Sequence, residues 1–193
     1  RDPLDDVVSL VDKSLLLEER DTATVRYRML ETVRFFCRDR SVETGEASRL
    51  RNRHAAWVRS TVQSWSAAFE GPDSVSAVRR TDGIVEEVRS ALDWARASGD
   101  LHTQVQIATD LAWYWVWRGL AGEGLEWLGD VELSDGAVSA VLEPRARFAL
   151  HMLHAHHRPT HELIERFARE AIDSAIRTGD RAVEGRSRSE ERR

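Results

Sequence analysis

Residues 25–40, "VRYRMLETVRFFCRDR", decide how this chain is read. The first half alternates apolar and polar residues, with Val25, Tyr27 and Met29 on one face, as a half-buried strand does. The second half changes period, and Leu30, Val33 (or Arg34) and Cys37 fall at helical spacing. No glycine or proline stands between the two halves. The pattern predicts a strand running straight into a helix over about 31–42, ended by Thr44 with Gly45 as its C-cap.

Upstream, "DPLDDVVSLVDKSLL" places Asp2 as N-cap and Pro3 at the first helical position, followed by a stripe of Leu4, Val7 (or Val8) and Val11. "LLLEE" reads as a strand, "RDTAT" as a turn, and "VRYRML" as the returning strand. A two-stranded ribbon is marginal alone, so this unit has to pack on helices. Downstream the signal is helical. Leu50, His54, Trp57, Thr61 and Trp65 share one face of a first helix, which "EGPDS" breaks. Helices follow over about 82–98 (Ile84, Val88, Ala91 and Ala95 inward) and 101–118, the latter apolar on most sides in its second half. Gly119 ends it, "GEGLEWLGD" makes a short helix, and "ELSDGAVS" makes a loop. Two more helices run from Pro144 to about His157 and from Thr160 to Thr178, with Pro159 between them. "ARASGD" (95–100) and "AIRTGD" (175–180) repeat 80 positions apart, twice the spacing of a TPR- or HEAT-like helix pair. The fold class is mainly α. Residues 43–180 read as TPR-like antiparallel helical repeats, and 181–193 as a disordered tail with little to bury.

Composition narrows the function. The chain has 193 residues and a net charge of -5, against the basic excess usual in nucleic-acid-binding domains. Cys37 is the sole cysteine, so no disulfide framework forms and a cytoplasmic location is expected. No apolar run reaches the ~20 residues of a membrane span, and "RDPLDD" lacks the apolar core of a signal peptide. The chain does not begin with Met, as a fragment or a processed product would not.

Catalytic motifs are missing where they would be sought. "DKS" around Lys13, the single lysine, lacks the glycines of a phosphate-binding loop. "HMLHAHHRPTH" gathers His151, His154, His157 and His161, but "HELIE" is not the zinc pattern H-E-x-x-H, and the histidines read as packed or solvated. "RLRNRHAAWVR" (49–59) reads as the solvated side of a helix. Trp57, Trp65, Trp94 and Trp115 read as core residues, as does Cys37. "AWYWVW" offers more aromatic surface than one helix hides, which makes Trp113, Tyr114 and Trp117 a candidate interaction surface.

"LVDKSLL", a hairpin, then "RYRMLETVRFF", "GE", "LRNRHAAWV", "VRSALDWARASGD", "WRG" and "EGLEWL" form an ordered series over about residues 7–130. The series resembles the region after the nucleotide-binding domain in bacterial STAND-class, NB-ARC-type ATPase regulators of the LuxR or SARP (AfsR-like) type. The resemblance implies that residues 1–42 end a winged-helix domain (helix plus β-hairpin) and that the repeats belong to a sensor region answering an inducer. ATP or ADP would sit in an upstream domain, with no cofactor in this chain. Related proteins often carry Met-His-Asp where the wing strand meets the helix, the histidine approaching the nucleotide phosphate. The matching residues here are Met29, Leu30 and Glu31, and leucine cannot donate that hydrogen bond.

The expectation is a non-catalytic regulatory segment that contacts an upstream nucleotide-binding domain or a partner protein, with no membrane contact and no DNA binding of its own. One alternative is a stand-alone winged-helix DNA-binding regulator using Lys13, Arg26 and Arg28. The other is a metal-dependent enzyme using the cluster from His151 to His161.

Overall fold

A computed structural model describes the chain except for residues 1, 21–24, 130, 132, 134–137, 158–160, 181–182, 184–185 and 187–193. It is mainly helical and divides into two compact units, Arg1–Leu50 and Arg51–Arg193. Most of the expected turn at 20–24, the break at Pro159, most of the loop at 132–139 and most of the tail lie outside the described residues.

In the first unit, α1 (Pro3–Asp12) starts as its sequence dictates: the Asp2 carboxylate accepts the Leu4 N–H at 3.0 Å, and Pro3 occupies the first turn. Strands β1 (Leu16–Arg20) and β2 (Val25–Met29) pair antiparallel, from Leu16 opposite Met29 to Arg20 opposite Val25. One extended residue, Leu30, then leads into α2 (Glu31–Glu43). Among the described residues of this unit none is buried. Val7, Val11, Leu15, Leu16, Met29 and Val33 reach only half burial, while Phe35 and Phe36 stand 59% and 69% exposed. Leu4, Val8 and Val42 are exposed as well. Cys37, expected in a core, is also exposed, because the face of α2 that carries it is uncovered. Each large apolar side chain left in water forgoes roughly 2 kcal/mol.

The second unit holds the core. α3 (Ala47–Ser66) ends in a 3-10 turn (Ala67–Glu70), and α4 (Ser74–Asp82) and α5 (Val85–Ser98) follow. Next come α6 (Leu101–Asp110), α7 (Ala112–Trp117), α8 (Ala121–Leu128), α9 (Leu142–His157) and α10 (His161–Thr178). α6 is the inner helix: every residue from Thr103 to Asp110 is buried. Against expectation, α3 buries Ala55, Val58 and Val62, and Trp57 lies 48% exposed. The two stripes lie on different faces, and the small residues take the inner one because they allow close helix approach. Of the tryptophans expected in the core, Trp115 is buried. Trp65 and Trp94 are half-buried under Arg80 and Arg51, whose guanidinium carbons sit 5.3 and 5.0 Å from the rings. The expected helix over 82–98 is α5, starting at Val85 after a separate helix, α4, that the spacing did not predict, and that over 101–118 breaks at Leu111.

The repeated "SGD" and "TGD" endings close identically. Gly99 and Gly179 adopt φ of 72° and 73°, and the amides of Asp100 and Asp180 donate to Ala95 and Ala175 at 2.9 Å in both cases. Each aspartate then accepts the amide three residues on, Thr103 at 3.0 Å and Val183 at 3.1 Å. Within the expected tail, Val183 is buried with Phe148, Ala171 and Ala175.

Helices α8 and α9 meet through glycine. A Cβ at Gly124 would lie 2.8 Å from Leu153 Cδ2 and 2.9 Å from Trp115 Cε3, both on fully packed side chains. Gly124→Val is therefore expected to lower the unfolding free energy by about 2 kcal/mol, read by urea denaturation.

Candidate functional site

At the strand-to-helix joint, Leu30 is the N-cap residue of α2 with φ -59° and ψ 142°, and its side chain makes no capping bond. Its carbonyl accepts the Arg34 amide at 2.8 Å, so extended backbone passes into helix within one residue. Met29 is half-buried, while Leu30 and Glu31 are exposed. Glu31 pairs with Arg34 at 3.3 Å. The exposed Arg28 and Arg34 side chains flank the joint. On the ribbon, Arg28 pairs with Glu19 at 2.7 Å, and Lys13 and Arg26 are exposed.

The aromatic run of α7 divides three ways. Tyr114 turns into the core, 3% exposed, and its hydroxyl donates to Asp82 Oδ1 at 3.0 Å. Trp113 lines a cleft of about 180 Å³ with Glu70, Arg145, Phe148, Met152 and Arg186. Trp117 is 58% exposed and lines a separate groove of about 380 Å³ with Ser74, Val75, Val78, Arg79, Asp82 and Arg118. Of the three expected surface aromatics, two reach the surface.

Residue spacing did not reveal the buried polar network. The Asp110 carboxylate, wholly buried, pairs with Arg145 at 2.5 Å and accepts from Gln106 Nε2 at 2.7 Å. Glu143, 6% exposed, pairs with Arg147 and Arg177 at 3.0 Å each and accepts the Ser174 hydroxyl at 3.2 Å. These pairs join α6, α9 and α10, and removing one partner would strand a buried charge. On the other side, Arg89 bridges Glu123 at 2.8 Å and Glu86 at 2.7 Å, which raises its pKa, with the Glu123 hydrogen bond as the largest cause.

The histidines do not converge. His151 is buried, His156 donates from Nδ1 to the Met152 carbonyl at 2.8 Å, and His157 lies over Gly122. Burial lowers the pKa of His154, and the charges of Arg166, His157 and His151 lower it further. The His161 side chain is outside the described set. Among the described residues no three His, Cys, Asp or Glu side chains are placed to hold a metal ion.

Tyr114 supplies a pH test. Its pKa is pushed up to about 12 from an ordinary 10.0, first by burial and then by its bond to Asp82. A phenol raised on folding stabilises fully below pH 10, and the stabilisation is lost as pH rises through about 12. In a Tyr27→Phe background, absorbance titration near 295 nm is expected to show ionisation at about 12, and Asp82→Asn to move it part of the way down.

No family model matches the chain, and no solved structure matches it. Curated relatives do. The chain is 31% identical over 147 residues to proteins named "Putative HTH-type transcriptional regulator" in Mycobacterium tuberculosis and Mycobacterium bovis. The match covers 74% of this chain but 16% of each relative, so the chain spans about a sixth of their length. Those names give no support to the expectation that this chain leaves DNA unbound. No helix among the described residues is long and apolar enough to cross a membrane. The chain is thus similar, over most of its length, to one region of proteins named as transcriptional regulators.

Proposed function

We propose that the chain is a non-catalytic regulatory segment of a transcriptional regulator of the STAND type, residues 1–42 ending a winged-helix domain and 43–180 forming a TPR-like sensor. It works by contact, with an upstream nucleotide-binding domain or a partner protein on one side and an inducer-responsive helical surface on the other. ATP or ADP belongs to that upstream domain. The observation that carries the reading is the missing core of residues 3–50, where no described residue is buried and Phe35 and Phe36 stand in water. Such a unit gains too little from its own packing to offset the ordering of its backbone, and a covering surface would supply the rest. Similarity to a sixth of much longer regulators supports the same reading.

A second reading has its own support. The relatives' printed names carry helix-turn-helix, and Lys13, Arg26 and Arg28 stand exposed on α1 and the ribbon. In that reading the chain binds DNA by itself through this basic edge.

Gel-shift selection from a random duplex library separates the two. The regulatory-segment reading expects no sequence-dependent retardation. A tight, salt-sensitive shift lost on Lys13→Glu with Arg26→Glu and Arg28→Glu would establish the DNA-binding reading instead.

A further inference from the structure

The groove between α4 and α7 has the composition of a binding site. Trp117 is 58% exposed and Val75, across the groove on α4, is 64% exposed. Trp117 packs beside Trp113 with ring centres 6.3 Å apart and planes tilted by 30°, and its indole N–H donates to the Phe69 carbonyl at 3.3 Å. An exposed tryptophan beside an exposed valine is apolar surface that water solvates poorly, and such patches mark interaction sites. Tryptophan and arginine are also the residues most enriched where binding energy concentrates.

The charges around it identify the partner's chemistry. Arg79 lines the groove, is exposed, and has no ion-pair partner among the described residues. Arg118 reaches Asp82 at 3.2 Å, and the same carboxylate oxygen already accepts the Tyr114 hydroxyl. The rim therefore keeps a net positive charge on a chain whose total is -5. A cationic rim on an acidic chain favours an anionic partner locally and disfavours a cationic one.

We infer that this groove docks a short peptide segment carrying an apolar or aromatic anchor flanked by carboxylates. The anchor lies between Trp117 and Val75, and a carboxylate pairs with Arg79. The inference rests on reading the helical unit as a contact surface and gives that contact its chemistry. It is independent of what DNA the chain binds, so the gel-shift result does not decide it.

Fluorescence polarisation on the full chain tests it, using a short labelled peptide with two phenylalanines between glutamates and a control with lysines in place of the glutamates. The acidic peptide is expected to bind saturably and at least about tenfold tighter than the control. Arg79→Glu is expected to weaken it about tenfold, and Val75→Glu, at an exposed position in the first turn of α4, to abolish it with an unchanged circular dichroism spectrum. Equal binding of both peptides, no binding, or binding that survives both substitutions would overturn the proposal. So would a dimer in sedimentation that Val75→Glu converts to monomer, since a second copy would then be the occupant.

Discussion

The second unit is arranged about α6 (Leu101–Asp110), a helix buried on every side although it carries threonines, glutamines and an aspartate. Those polar groups fix where its neighbours stand. Gln104 donates to the Trp127 carbonyl at 2.7 Å, Arg59 reaches Thr103 at 3.4 Å, and Asp110 binds Arg145 at 2.5 Å. Apolar contacts tolerate sliding, but a buried carboxylate does not tolerate losing its cation. Asp110 therefore sets the register of α9, and Glu143 on α9 in turn holds Ser174 and Arg177 of α10. The groove beside Trp117 and the cleft beside Trp113 lie on α7, which follows α6 after the single residue Leu111.

Local chemistry made much of this legible from the sequence. Asp2-Pro3 began α1 as a cap and a proline should, and the period change after Met29 marked a strand passing into a helix. The "GD" endings marked helix ends because a left-handed residue after the last turn is inexpensive only for glycine. Gly45 and Gly119 close helices the same way, with φ of 71° and 69°. Ser14 does so without that freedom, at φ 56°.

What the sequence hid was which of two plausible faces lies inward, and what lies opposite it. α3 has one stripe of large residues and another of small ones, and packing distance chose the small one. α4 was missed because its inward positions, Ala77 and Thr81, are too weakly apolar to stand out. With it went Val75 and Arg79, half of the groove. "AWYWVW" signalled an aromatic surface but not that Tyr114 would turn inward to Asp82. The Asp110–Arg145 and Glu143–Arg177 ion pairs join residues 35 and 34 positions apart, and no local spacing records them.

The chain therefore holds a packed helical unit and a strand-and-helix unit in which no described residue is buried. Amide hydrogen exchange of the isolated chain tests that contrast most directly. The amides of α6 and α9 are expected to exchange slowest, through global opening, and those of α1, the ribbon and α2 orders of magnitude faster. Equal protection of α2 and α6 would contradict it, because residues 3–50 would then hold a core without a partner.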